Sequence, residues 1–242
     1  MRILIIRHAE PDYAHNTLTP KGFREADILS ERLSCLPIGH LYSSPLQRAL
    51  LTAEPTAQKL GREVEVCDWL QEFGGKIPDE DGKERIPWNL PPRFWEKREK
   101  LYDVHTWLQD SIMSAMDVPE KFRHVEKGLL NLLECHGYRR MGAFFTCEEN
   151  KDETIALFCH FGLGMLLVSI LTGISPVLLW QGLFLPTSSV STFVTEERNR
   201  GEVVFKCLQL GDTSHLYAKG EPVSRSGLYR EHADGYGDGP QV

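Results

Sequence analysis

Four cationic or imidazole side chains stand where a chain rarely places them for stability alone. Arg7 and His8 end the aliphatic run Ile3-Leu4-Ile5-Ile6, Arg48 lies in a segment that opens Ser44-Pro45-Leu46-Gln47, and His160 directly follows Ile155-Ala156-Leu157-Phe158-Cys159. Arginine is permanently charged and offers a planar fork of donors that matches phosphate or carboxylate oxygens, so two arginines in one pocket imply an oxygen-rich anion. Histidine can be neutral near pH 7 and attack through one nitrogen when an acceptor holds the other. His8 is the candidate nucleophile. His160 is a second donor to phosphoryl oxygens, steadying charge as it spreads in the transition state. A helix starting at Ser44 and Pro45 would add free backbone N–H groups and a positive dipole end.

These residues need elements to bring them together. Residues 3–6 form a short continuous apolar run, the pattern of a strand covered on both faces and so of a parallel sheet. Leu18-Thr19-Pro20 announces a helix with Thr19 as N-cap and Pro20 at its first position, carrying Phe23, Ala26, Leu29 and Leu33 at helical spacing. Residues 40–44 read as a second strand. The helix after it has Ser44 as cap, Pro45 at N1 and Gln47 at N3, and stops at Gly61. Residues 63–66 are a third strand, residues 155–159 a fourth, and 189–194 and 203–210 complete or flank the sheet. Alternation of strand and helix implies right-handed parallel crossovers. The expected fold is α/β, a mainly parallel sheet flanked by helices on both faces, in one domain over residues 1–242. In such a sheet the side chains open to a ligand lie just past the carboxyl ends of the strands, so Arg7, His8, Arg48 and His160 should converge on one rim.

Residues 74–150 break the pattern and read as a helical cap insertion. Its first part is rich in Pro, Gly and charge; two amphipathic helices follow, one carrying Leu101, Val104, Leu108 and Ile112, the other Phe122, Val125, Leu129 and Leu132 before Gly137. Trp88, Phe94, Trp95, Tyr102 and Trp107 are most simply the apolar face of this cap; the alternative has some of them lining a substrate cleft. Residues 217–242 read as a polar, Gly-rich and loosely held tail.

Composition is that of a globular protein, 41% hydrophobic and 25% charged. A net charge of -7 argues against general binding to nucleic acid or a membrane surface, which needs a basic field over a whole face. Residues 155–174 have the length of a membrane span, but His160 and three glycines interrupt them; they read as a strand, a turn over 160–164 and a buried helix ending near Gly173. The six cysteines show no metal or disulfide spacing, and no signal-peptide pattern follows Met1, so a reducing, cytoplasmic setting is expected.

Taken in order, Arg7-His8-Ala9-Glu10, Leu18-Thr19-Pro20-x-Gly22, Ser43-Ser44-Pro45-Leu46-x-Arg48-Ala49-x-x-Thr52-Ala53, Leu70-x-Glu72 and a histidine after a strand, His160, resemble the histidine phosphatase superfamily, also called phosphoglycerate mutase-like. The resemblance implies that His8 becomes a phosphohistidine, that Arg7, Arg48 and His160 line the phosphate pocket, and that Glu72 first protonates the leaving oxygen and then activates water. It implies no metal and no organic cofactor. Asn16 and Ser44 are further candidate phosphate donors, although turn formation and helix capping already account for them. A carboxylate beside arginines and histidines would normally have its pKa lowered. Ala9 and Phe161 stand where the family commonly has glycine, and Phe161 is expected to shape or narrow the pocket. Members with mutase activity usually carry Glu-Arg-x-Tyr-Gly at the acid, whereas here Glu72 is followed by Phe73-Gly74-Gly75. The expected function is hydrolysis of a small-molecule phosphate monoester; the alternatives are a phosphoglycerate mutase and a catalytically inert phosphate-binding scaffold.

Overall fold

The first strand, β1 (Arg2–Arg7), sends alternate side chains into different cores, Ile3 and Ile5 to one face of the sheet and Leu4 and Ile6 to the other. That two-sided burial is why its sequence is continuously apolar. The structure is a computed structural model that describes residues 1–78 and 82–228.

After β1 come a short hairpin, β2 (Pro11–Asp12) and β3 (Thr17–Leu18), and helix α1 (Pro20–Ser34). Thr19 caps α1 as expected, its Oγ1 accepting from the Gly22 N–H at 2.9 Å. A Cβ on Gly22 would lie 2.1 Å from the Glu10 carbonyl oxygen, so only glycine lets this first turn dock beside the loop that carries His8. Phe23, expected on the buried face, is exposed. Next are β4 (Ile38–Ser43), α2 (Gln47–Leu60) and β5 (Val64–Val66). Helix α2 ends at Gly61 in the left-handed conformation. It starts later than its capping signal suggests, with Leu46 as an N-cap that makes no side-chain bond. The Ser44 hydroxyl instead accepts from Leu46 N–H and binds His160.

The insertion holds a hairpin, β6 (Ile77–Pro78) and β7 (Glu84–Arg85), a short helix α3 (Pro92–Trp95), the long α4 (Val118–Cys135), and β8 (Tyr138–Met141) with β9 (Phe144–Cys147). Only the second expected amphipathic helix exists. Residues 101–112 are turns and 3-10 pieces, because side chains capture the backbone donors and acceptors that a helix would use. Asp103 accepts from His105 N–H at 2.7 Å, Asp110 from Ile112 N–H at 3.0 Å, and Thr106 donates to the Lys100 carbonyl at 2.9 Å. The insertion is also more than a cap, since β8 and β9 extend the main sheet.

The chain returns through β10 (Thr154–Cys159), α5 (Phe161–Thr172), α6 (Pro176–Gly182), β11 (Val190–Asn199), β12 (Glu202–Asp212) and α7 (Ser214–Ala218). No turn separates β10 from α5; the helix begins at the residue after His160. Among the described residues no helix is long and apolar enough to cross a membrane.

The eight-stranded sheet runs β5-β4-β10-β1-β11-β12-β9-β8. Strands β5, β4, β10 and β1 are parallel, and the rest of the sheet is antiparallel. Helices α1 and α2 cover one face, through Leu29, Leu33, Ala53 and Ala57, while α4, α5 and α6 cover the other. The α/β class holds, and its parallel half carries the site.

Candidate active site

Strand register assembles the rim. β10 lies between β4 and β1, with Cys159 opposite Arg7 and Phe158 opposite Ser43, so His8, His160 and Ser44 leave the sheet side by side. The His8 N–H donates to the Cys159 carbonyl and the Ser44 N–H to that of Phe158, each at 2.9 Å. The His8 and His160 ring centroids are 5.1 Å apart, and the two residues are 1% and 0% exposed.

His8 Nδ1 stands 2.8 Å from the Ala9 carbonyl oxygen. A carbonyl only accepts, so Nδ1 carries the hydrogen and Nε2 keeps its lone pair. Ala9 is fixed in turn, its N–H donating to Thr52 Oγ1 at 2.9 Å while that hydroxyl donates to the Arg48 carbonyl at 2.7 Å. Burial, followed by the charges of Arg7 and Arg48, holds the His8 pKa well below the ordinary histidine value. The ring is therefore neutral at pH 7, which a nucleophile requires.

His160 Nε2 is 2.7 Å from Ser44 Oγ. That oxygen already accepts from Leu46 N–H at 3.2 Å, and His160 Nε2 is the acceptor within reach of its own proton. With Ser44 donating to Nε2, the His160 hydrogen sits on Nδ1, a buried atom with no partner among the described residues. Burial first, then His8, Arg48 and Arg7, lower the His160 pKa far below its usual value.

Two buried guanidinium nitrogens, Arg7 Nε and Arg48 Nε, also have no acceptor among the described residues. Arg7 donates through Nη1 to the Leu185 carbonyl at 2.6 Å and through Nη2 to the Ser226 carbonyl at 3.3 Å. The Arg48 guanidinium lies over the Tyr13 ring, 5.4 Å from its centroid, and its charge reaches His8, His160 and Glu72. Buried donors without partners are rare and call for an explanation. Here three of them belong to residues of one rim, and such donors suit an oxyanion.

Glu72 follows a 3-10 turn after β5. Its Oε1 accepts from the N–H groups of Phe73, at 2.8 Å, and Leu163, at 2.9 Å, in the first turn of α5. An oxygen that accepts twice leaves the other, Oε2, to carry a proton. The expectation of a lowered pKa is reversed: burial raises it, outweighing those N–H donors and Arg48.

Several contacts were not legible beforehand. A Cβ on Gly162 would fall 2.5 Å from Trp88 Cδ1 and 2.9 Å from Glu72 Oε1, so glycine there admits a tryptophan from the insertion beside the acid. Trp88 Nε1 donates to the Phe73 carbonyl at 3.0 Å. Phe161 meets Trp88 edge to face at 5.7 Å and Phe184 at 5.5 Å, and the Arg7 guanidinium lies 5.9 Å from the Phe161 ring and 5.3 Å from that of Phe184. The tail is not loose where it is described. Glu221 pairs with Lys21 and Arg24, Ser224 Oγ bonds Glu10, and Gly227, at φ 85°, packs against the Arg7 guanidinium. Residues 229–242 lie outside the described residues. Asn16 is exposed in the turn between β2 and β3 at φ 50°, a left-handed conformation that asparagine tolerates. His15 pairs with Asp12 on the surface at 2.8 Å. His215 is buried between Arg32 Nη1 (3.3 Å) and Ser188 Oγ (3.5 Å), and the Ser188 N–H holds the His8 carbonyl at 3.1 Å.

A parallel-sheet rim thus brings together two neutral imidazoles, two guanidinium groups and a carboxyl of raised pKa from distant parts of the chain, a set of groups suited to an oxyanion. The family model of the histidine phosphatase superfamily (branch 1) matches residues 3–207, and the chain belongs to that superfamily. The chain is 25% identical over 190 residues to a putative phosphoserine phosphatase 2 of Hydrogenobacter thermophilus, covering 74% of this chain and 83% of the relative. It is 33% identical over 81 residues to a 2,3-bisphosphoglycerate-dependent phosphoglycerate mutase of Thermoplasma acidophilum, a match confined to 29% of this chain and 40% of the mutase. Among solved structures, a mycobacterial glucosyl-3-phosphoglycerate phosphatase superposes with TM-score 0.59 at 17% identity, covering 88% of this chain and 99% of that one. A phosphoserine phosphatase of Entamoeba histolytica does so with TM-score 0.58 at 20% identity, covering 89% and 98%.

Proposed function

We propose that the protein hydrolyses a small-molecule phosphate monoester by way of a phosphohistidine on His8. The observation that carries this is the His8 imidazole: neutral, its Nδ1–H tied to the Ala9 carbonyl, and its ring beside that of His160 and within the field of the Arg7 and Arg48 charges. The enzyme is a phosphoric monoester hydrolase of the histidine phosphatase family.

In the first step His8 Nε2 forms a bond to phosphorus as the bond to the alkoxy oxygen breaks, and Glu72 Oε2 delivers its proton to that oxygen. Arg7 Nε, Arg48 Nε and His160 Nδ1, which have no acceptor among the described residues, bind the equatorial oxygens where charge spreads. Asn16, on the same hairpin as the Tyr13 ring that covers Arg48, is the outermost proposed phosphate contact. In the second step the Glu72 carboxylate takes a proton from water, the oxygen of that water attacks phosphorus, and the P–N bond breaks to give inorganic phosphate and free His8. Transfer to a second hydroxyl is not favoured. Phe73-Gly74-Gly75 departs from the mutase pattern, and the similarity to a mutase spans a minor part of the chain.

The test is to quench a reaction with a 32P-labelled ester within the first turnover. Label on the protein that is lost in acid and stable in base, and absent together with turnover in His8→Ala, is the expected result. Undiminished turnover in that variant overturns the mechanism.

A further inference from the structure

We propose that Trp88 and Phe161 form the wall against which the leaving group lies, so that the preferred substrates are phosphate monoesters whose alcohol carries a flat apolar group. This rests on the reading of Glu72 as the acid that protonates the leaving oxygen. That oxygen must come within about 2.6–3.2 Å of the Glu72 carboxyl. Glu72 Oε1 and Trp88 Cδ1 flank one spot, standing 2.9 Å and 2.5 Å from where a Gly162 Cβ would be. The indole edge therefore stands beside the carboxyl whose other oxygen, Oε2, meets the leaving oxygen, and a group bonded to that oxygen starts its course next to Trp88.

The wall is fixed and continuous. Trp88 is only partly buried, and its Nε1 is anchored to the Phe73 carbonyl, the residue after the acid. Its ring meets Phe161 edge to face, Phe161 meets Phe184, and both phenylalanines bear on the Arg7 guanidinium. Aromatic packing thus runs from the acid to the Arg7 guanidinium, with Trp88 as its more exposed member and Phe161 more deeply set behind it. Three cations of the insertion are engaged with other partners: Lys76 with Glu84 at 3.6 Å, Lys121 with Asp117 and with the Gly74 carbonyl, both at 2.8 Å, and Arg98 with Asp110 at 3.1 Å. A glycine in the first turn of α5 weakens the helix, and the space it leaves is what Trp88 occupies. A leaving group with a flat apolar face covers this surface, whereas a small polar one leaves it wet.

The test compares 2-phenylethyl phosphate with n-propyl phosphate, whose leaving alcohols have similar basicity, and measures calorimetric binding of the two matching phosphonates, which cannot be hydrolysed. The aryl member should be favoured roughly three- to ten-fold in kcat/KM and in phosphonate affinity, the range an aromatic contact gives. Trp88→Leu should bring both ratios below about two-fold, largely through KM, and Trp88→Phe should recover part of them. Equal handling of the two esters and phosphonates by the wild-type protein overturns the wall, as does Trp88→Leu weakening both members alike. Preference for the aryl phosphonate without turnover of either ester would uphold the wall and sink the phosphatase reading instead.

Discussion

Replacing Ser44 with alanine isolates the control of a proton. The substitution deletes the 2.7 Å contact to His160 Nε2 and the acceptor for Leu46 N–H. Leu46 is only partly buried and can turn to water, but His160 is fully buried and its Nε2 would have no partner. An orphaned buried polar atom costs about 1–3 kcal/mol. In a chain of this size each kcal/mol lowers the melting temperature by about 2–4 °C, so a drop of roughly 2–12 °C is expected. The larger effect is on chemistry. Without the hydroxyl, His160 is free to move its hydrogen to Nε2 and present a lone pair from Nδ1 to phosphoryl oxygens, which forfeits one transition-state donor. Losing such a donor costs about 10²–10³-fold, and a mixture of tautomers forfeits part of that, so kcat/KM should fall about 10- to 100-fold. Ser43→Ala is the comparison, because Ser43, the last residue of β4 and neighbour of Ser44, is equally buried but its hydroxyl donates to the Ser44 carbonyl at 3.0 Å. Steady-state kinetics on an alkyl phosphate, thermal melts and 15N shifts of His160 complete the assay. If Ser44→Ala keeps kcat/KM within two-fold of wild type, or leaves the His160 tautomer unchanged, the reasoning is refuted.

Two further predictions follow from the titrating groups. Glu72→Gln should lower turnover of an alkyl phosphate by about 10²–10⁴-fold but that of 4-nitrophenyl phosphate far less, since nitrophenolate leaves without a proton. Because the Glu72 pKa is raised and its protonated form donates, single-turnover dephosphorylation of an alkyl ester should decline as pH rises through that pKa, and the decline should vanish in the variant. A pH-independent rate across the acid and neutral range in wild type would contradict this. Stability should fall on acidification through His215, whose folded pKa is depressed to about 4. The unfolded chain binds the proton near pH 6.5 and the folded one only near 4, so stability is present above pH 6.5 and lost as pH drops toward 4. The loss is about 3 kcal/mol at one pKa unit per 1.36 kcal/mol. Urea titrations of the wild type and His215→Gln between pH 7 and 4 should show a shallower decline in the variant; parallel curves would remove His215 from the account.

The parts of this fold that sequence made visible are those where one local rule suffices. Thr19-Pro20 starts a helix, Gly61 stops one, and Ile3 to Ile6 mark a strand buried on both sides, because capping, left-handed backbone and period-two burial are decided within a few residues. What stayed hidden depends on competition between distant groups. Ser44 reads as a cap until β10 arrives beside β4 and His160 claims its hydroxyl. Residues 101–112 keep a helical apolar period, yet Asp103, Thr106 and Asp110 divert the backbone bonds. The polar tail has no apolar periodicity, but it docks through single hydrogen bonds and ion pairs to Arg7, Glu10, Lys21 and Arg24, which no pattern announces.

The sign of the Glu72 shift follows from the same distinction. Counting charges predicts a lowered pKa, since arginines and histidines surround the carboxyl. The histidines, however, are themselves held neutral by burial and by those arginines, so they contribute no positive charge to oppose it. What remains is desolvation set against Arg48 and the backbone donors at the start of α5, and desolvation prevails. One helix start therefore positions both His160 and Glu72. His160 is the N-cap of α5 and Glu72 binds the N–H of Leu163 three residues on, so the distance between the second imidazole and the acid is fixed by a single turn of helix. In the proposed mechanism the sheet supplies the phosphate pocket and α5 holds the acid, while Trp88 comes from the insertion. Changes in the insertion can therefore retune which alcohol is released while the register that joins His8 to His160 stays fixed.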